Sequence, residues 1–123
     1  MSKILHQDTI LLLAQARIDR VFVLDTAPAS YAAAAAAALA VGVLVPGDFT
    51  IGPGDISGRK ITFVGKSGIS VTAAGDYNHA VFGDSTNSEL WVTTDGATKT
   101  LAVDDTVNLE ACDILELRDA IAG

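Results

Sequence analysis

The chain has 123 residues and a formal net charge of −7, and hydrophobic residues make up 50% of it while charged residues make up 19%. The acidic balance argues against direct binding to nucleic acid or to an anionic membrane surface, because both need a surplus of Lys and Arg. A single cysteine, Cys112, excludes an internal disulfide and is typical of folding in a reducing cytoplasm.

Length and patterning predict one domain over residues 1–123, with a helical segment at 1–20 and a β domain at 21–119. Two interpretations of the apolar composition stay open: an alanine-rich domain that is compact, or a surface whose apolar part is covered by partners. We expect no membrane-spanning helix, because the longest apolar stretch, 31–45, is short and ends at Pro46. We expect no signal peptide, because the first residues lack its order of basic, apolar and small regions.

Residues 2–17 predict a helix, because Leu, Ala, Gln and Arg have high helix propensity. Ile10, Leu13 and Ala14 fall on one face of it, and the two leucines between them widen this stripe. The expected role of that face is packing on the sheet. The alternative is that the helix docks on another chain.

A continuous apolar run at 21–24 predicts a strand that is buried on both faces. The alanine-rich stretch that follows predicts a short helix over 31–38 capped by Ser30, with a low-complexity loop as the alternative. Further short strands are expected at 39–45 and 49–51.

The stretch 57–75 predicts two strands joined by a tight turn, because apolar and polar side chains alternate on both sides of Lys66 and Ser67. Gly65 and Gly68 bracket that turn and tolerate positive φ. The predicted buried face consists of Ile61, Phe63, Ile69, Val71 and Ala73.

From residue 57 on, short strands recur about every ten residues with a turn signal in each gap. Asp95-Gly96 is typical of a type I′ hairpin turn, which would return the chain along 98–102. Strands at 106–109 and 113–118 complete the pattern. The fold class predicted from it is mainly β: an antiparallel β-sandwich or barrel-like domain with an N-terminal α-helix.

The chain has few residues of the types that act in catalysis or bind metals, with two histidines and one cysteine. We therefore expect no enzyme, no cofactor and no metal site. Neither His6 nor His79 has a spacing that suggests a shared metal, and Cys112 is expected to be a buried, inert thiol. The Gly65-Lys66-Ser67 run resembles the end of a phosphate-binding loop, but that motif needs a glycine where the chain has Lys60.

Aspartates recur in the predicted turns, where their side chains bond the local backbone. A calcium site at Asp104-Asp105 is an alternative, although the spacing of oxygen ligands in a calcium loop is missing.

Three aromatic residues, Trp91, Tyr31 and Tyr77, would suit a sugar-binding platform, although Trp91 is better explained as a core or interface anchor. The residues predicted to make contacts with a partner are Ile10, Leu13, Tyr31 and Trp91.

Four segments of the chain resemble a family of small proteins encoded among the virion structural genes of tailed bacteriophages. They are residues 23–31 (VLDTAPASY), 54–61 (GDISGRKI), 69–75 (ISVTAAG) with 79–80, and 113–119 (DILELRD). The similarity begins at about residue 21, and its motifs are short turn-and-strand pieces.

The resemblance implies a virion component, most plausibly a capsid decoration or cement protein on the head exterior, made in the bacterial host cytoplasm. Such proteins bind the major capsid protein, often as trimers, and the resemblance brings no catalytic residues. A homo-oligomer, with a trimer favoured, is therefore expected. A tail or neck component and a surface carbohydrate-binding module are the alternatives.

Overall fold

The computed structural model describes residues 7–54 and 58–117, and over them the chain is mainly β with an N-terminal helix, as the sequence predicts. All strand pairs are antiparallel. The elements are α1 (Gln7–Arg17), β1 (Arg20–Leu24), α2 (Tyr31–Ala37), β2 (Ala40–Val43), a 3₁₀ turn (Pro46–Asp48), β3 (Phe49–Pro53), β4 (Arg59–Phe63), β5 (Lys66–Ser70), β6 (Gly75–Asp84), β7 (Glu89–Leu101), β8 (Thr106–Leu109) and β9 (Cys112–Leu117).

The largest sheet has the strand order β2-β1-β6-β7. Strand β1 lies inside it, between β2 and β6, and all four residues from Val21 to Leu24 are buried. The prediction of a strand buried on both faces is therefore confirmed. The burial follows from the unbroken apolar run, because a strand with one solvent-exposed face would alternate apolar and polar residues.

Two smaller sheets, β3-β4-β9 and β5-β8, lie against one face of the large sheet. A bridge between Ala40 and Val71 connects the second of them to β2. The main core forms between these layers, where Val21 and Val23 of the large sheet meet side chains from both smaller sheets and from α1. The arrangement is sandwich-like, with the core between two β layers.

Helix α2 covers the opposite face of the large sheet, where Ala34 packs in a second cluster with Phe22, Leu24 and Val81. Its N-cap is Ser30, whose hydroxyl accepts a hydrogen bond from the Ala33 N–H at 3.2 Å. The predicted alanine helix is thus confirmed. A seven-residue helix is marginal alone, and its burial on β1 and β6 stabilises it.

The hairpin predicted over 57–75 is wrong, although both strands exist. Strand β4 pairs with β3 and β9, placing Ile61 opposite both Ile51 and Leu115, while β5 pairs with β8. Gly65 and Gly68 do have positive φ, at +101° and +73°, but the turn leads the chain from one sheet to another. The buried side chains follow the predicted alternation except for Ala73, which is exposed.

The turn predicted at Asp95-Gly96 is also wrong, because both residues lie inside the 13-residue strand β7. The ten-residue strand β6 pairs along the whole of β7, and the excess residues of β7 form bulges rather than a reversal. The turn that joins β6 to β7 is at 85–88, where the sequence also predicts a turn over 84–87. Buried Asp84 stabilises it by accepting hydrogen bonds from the N–H of Thr86 and from both the backbone and side chain of Asn87.

Helix α1 packs on β3 and β4 through a different face from the one predicted. Leu11, Ala14 and Ile18 are buried, whereas Ile10 and Leu13 are exposed. The reason is that every position from 10 to 14 is apolar, so the sequence offers no polar contrast that would orient the helix. The expectations for residues 2–6, 55–57 and 118–123 lie outside the described residues.

Candidate functional site

The outer surface of α1 presents large apolar side chains to solvent. Ile10 is 37% exposed, Leu13 47% and Leu12 55%. Ile10 and Leu13 are three residues apart and therefore share one flank of the helix, while Leu12 lies on the flank of Gln15. We call Ile10, Leu12 and Leu13 the α1 patch. Two of the four residues predicted to contact a partner lie in it.

A second apolar surface follows β2 on the α2 side of the large sheet. Val41 and Val43 pair with Phe22 and Arg20 of β1, and Val45 follows two residues later. The three valines are between 43% and 57% exposed, while the residues between them are buried. We call Val41, Val43 and Val45 the β2 patch. Sequence analysis missed it, since an entirely apolar stretch does not reveal which side faces solvent.

Gln15 fixes the two patches relative to each other. Its side-chain amide donates hydrogen bonds to the carbonyl oxygens of Pro46, at 2.9 Å, and of Phe49, at 3.3 Å. Pro46 directly follows Val45, and Leu12 lies one turn before Gln15 on the same flank of α1. Gln15 therefore ties α1 to the segment that follows β2, although α1 packs on the main-core side of the large sheet and the β2 patch lies on the other side.

The other two predicted contact residues, Tyr31 and Trp91, lie on opposite faces of the large sheet. Tyr31 packs edge-to-face on Phe22, with ring centroids 5.2 Å apart, whereas Trp91 packs against the main core on the other face. Both are half-buried. The Trp91 indole N–H is buried and has no hydrogen-bond partner in the described part of the chain. The suggested platform of Tyr31, Tyr77 and Trp91 is therefore not assembled, because Tyr77 shares only the face of Trp91.

A polar cleft of about 320 Å³ opens where β6 and β7 meet the connection from β8 to β9. Along this stretch Tyr77 pairs with Lys99 and His79 pairs with Asp95, so residues 96–98 of β7 lie opposite Asn78 alone. Such a bulge interrupts the ladder and opens the sheet locally. The residues that line the cleft include Tyr77, Asn78, His79, Asp95, Asn108 and Glu110.

A second, partly open pocket of about 250 Å³ adjoins this cleft and reaches the main core. Phe63 and Phe82 form part of its wall, with their rings 5.1 Å apart, and Cys112 lies beside them. Burial, and next the neighbouring Asp113 carboxylate, raise the pKa of the Cys112 thiol. The thiol is half-buried and is a poor nucleophile at neutral pH. Sequence analysis does not predict the cleft, because the cleft arises from an irregular strand register.

The remaining candidates for chemistry are the histidines and the two aspartates of the suggested calcium site. Within the described ranges 7–54 and 58–117, no group of three or more His, Cys, Asp or Glu side chains lies close enough to hold a metal ion. His79 faces the side-chain oxygen of Asn78 through Nδ1. At the suggested calcium site, the Asp105 carboxylate accepts a hydrogen bond from the Ala102 N–H at 2.9 Å and so helps to form the turn. His6 lies outside the described residues.

Among the helices of the described residues, none is both long and apolar enough to cross a membrane. Comparison of the chain with protein-family models, with curated proteins and with solved structures found no match.

Proposed function

We propose that this chain is a structural virion protein of a tailed bacteriophage: a capsid decoration protein that binds the major capsid protein, stabilises the head and acts as a homo-oligomer. It would be made in the host cytoplasm and reside on the capsid surface. The observation that carries the proposal is the pair of exposed apolar patches, α1 and β2, on a rigid β scaffold. The resemblance of four sequence segments to phage structural proteins supplies the identity of the partner.

The patches suit adhesion better than chemistry. Exposed large apolar side chains that cluster on one molecule mark interaction surfaces, because covering them releases about 25 cal/mol per Å² of apolar area. The hydrogen bonds from Gln15 to the Pro46 and Phe49 carbonyls attach α1 to the β scaffold, so the α1 patch belongs to a folded surface. A decoration protein also occurs in many copies on one shell, and modest contacts that repeat over a lattice give high avidity.

Quantifying the protein in purified particles tests the proposal. A copy number in the hundreds per particle supports a decoration protein. A copy number of about a dozen or fewer would instead indicate the tail or neck component that the sequence left open, and absence from the particle would refute a virion role.

Surface variants test the adhesive surface separately. We expect Leu13→Asp in the α1 patch and Val43→Asp in the β2 patch to fold, since both positions are exposed, but to lose binding to shells that lack the protein. Thr93→Asp is the matched control, because Thr93 is an exposed residue of an edge strand outside both patches. Equal binding by all three variants would contradict the assignment of the patches.

A further inference from the structure

We propose that the polar cleft between β6, β7 and the β8–β9 connection is a binding site for a neutral oligosaccharide. This inference is independent of the proposed capsid function. It rests on the shape of the cleft, on the side chains that line it and on the hydrogen bonds that already orient two of them.

The cleft has a suitable size and form. Its volume of about 320 Å³ lies at the lower end of the range of ligand pockets, roughly 300–1,000 Å³. The cleft opens at the surface, and the bulge at 96–98 widens it, since these three residues lie opposite Asn78 alone. Bulges often occur beside functional sites, where they end strand pairing and redirect side chains. An open cleft of this size suits one or two rings of a longer glycan.

Two side-chain amides of the cleft are held with their donors available. The Asn108 Oδ1 accepts a hydrogen bond from the Gly68 N–H at 2.9 Å, which leaves the Asn108 NH₂ group to donate to a ligand. The Asn78 Oδ1 faces the His79 Nδ1, which leaves the Asn78 NH₂ group also able to donate to a ligand. Preoriented donors bind a ligand at a lower entropy cost than free side chains.

The acceptors are complementary to these donors. Asp95 and Glu110 are exposed at the cleft, and within the described residues neither carboxylate has a hydrogen bond or an ion pair. A sugar hydroxyl both donates and accepts, so it needs a lining that offers both groups. Tyr77 adds an aromatic ring, against which the apolar face of a sugar ring can pack.

The charge of the lining decides the class of sugar. Asp95 and Glu110 are two carboxylates against the single ammonium of Lys99, so an acidic sugar would meet net repulsion. A metal ion is a poorer fit, because no cluster of three ligating side chains exists in the described part of the chain. Neutral hexose-containing oligosaccharides are therefore the expected ligands.

The test uses the full chain on a glycan array that holds neutral and sialylated oligosaccharides, followed by a ¹⁵N-NMR titration with the best neutral ligand. We expect neutral ligands alone to bind and the side-chain amide signals of Asn78 and Asn108 to shift. If no neutral glycan binds at millimolar concentration, or if the shifts map to the opposite face around Tyr31, the proposal is wrong.

Three variants separate binding from folding. Asn108→Asp keeps an acceptor for the Gly68 N–H but removes the donor, so we expect at least a tenfold loss of affinity with an unchanged melting temperature. Tyr77→Phe keeps the ring and should bind, whereas Tyr77→Ala should not. Unaltered affinity in both Asn108→Asp and Tyr77→Ala would overturn the assignment even if a glycan does bind.

Discussion

The Asp19 carboxylate accepts a hydrogen bond from the backbone N–H of Ser85 at 2.8 Å, and it accepts a second one from the Ser85 hydroxyl. The two residues are 66 positions apart. The backbone of Asp19 extends the connection, since its N–H donates to the Gly83 carbonyl and its own carbonyl accepts from the Leu44 N–H. Asp19 therefore joins the end of α1 to the β6–β7 turn and to the end of β2.

We expect Asp19→Ala to lower the free energy of unfolding by about 1–3 kcal/mol, because it removes two hydrogen bonds to a charged acceptor that is only partly exposed. Ser85→Ala should cost less, since the backbone N–H still reaches the carboxylate. Urea unfolding followed by Trp91 fluorescence measures both. Asp25→Ala is the control, because Asp25 is exposed. An equal loss in Asp19→Ala and Asp25→Ala would contradict the role of Asp19.

Stability should fall in acid through Asp84. The Asn87 side chain, and then the backbone N–H groups of Asn87 and Thr86, lower the pKa of the Asp84 carboxyl against the opposing effect of burial. A carboxyl whose pKa is lower in the folded state stabilises the fold above its unfolded value of about 4, and the stabilisation is lost as the pH falls through the folded pKa. The pH window of this loss therefore lies below about pH 4.

Urea midpoints measured from pH 7 down to about pH 2.5 test this linkage. We expect Asn87→Ala to be less stable than the native chain at neutral pH and to lose less stability on acidification, because the largest cause of the lowered pKa is gone. Thr86→Ala serves for comparison, because it keeps the backbone N–H that reaches Asp84 and should follow the native curve. Parallel curves for Asn87→Ala and the native chain would rule out the assignment.

Sequence periodicity located most strands but not their partners. In β4 and β5, buried apolar residues alternate with residues that are mostly more exposed, and this alternation is enough to predict the two strands and their buried side. The buried residues are Ile61, Phe63, Ile69 and Val71. Their pairing was mispredicted, because Leu115 and Val107 lie far along the chain and local patterns carry no information about them. A two-residue turn signal favours a hairpin only when no better partner strand competes.

The candidate sites show the same limit. The apolar character of residues 10–13 predicts a helix that packs on the sheet, with docking on another chain as the alternative, and which side chains are buried depends on how α1 lies on β3 and β4. The cleft depends on three residues of β7 lying opposite one residue of β6, and strand register of this kind is a property of the assembled sheet. Asn108 and Glu110 meet Asn78 and Asp95 only through that register.

Gly65 has a conformation that other residues rarely adopt. Its φ is +101°, and a Cβ at this position would stand 3.0 Å from the Leu109 carbonyl oxygen. We expect Gly65→Ala to lower the free energy of unfolding by about 1–3 kcal/mol through backbone strain, with further loss from the contact. Gly47→Ala is the matched control, because nothing lies within 4 Å of a Cβ there. Thermal unfolding of the two variants compares them directly, and equal melting temperatures would contradict the expected strain.

The reactivity of the Cys112 thiol measures how far solvent reaches into the pocket beside the main core. Because burial and the Asp113 carboxylate raise the pKa of its thiol, we expect native Cys112 to react with iodoacetamide more slowly than the urea-unfolded chain, with a pH profile displaced to higher pH. Asp113→Asn should move the profile part of the way back, since it removes the charge and keeps the side-chain volume. Burial is the larger cause, so the greater part of the displacement should persist in that variant. Identical profiles for the native and unfolded chains would contradict the expected effect of burial on this thiol, which lines the pocket beside Phe63 and Phe82.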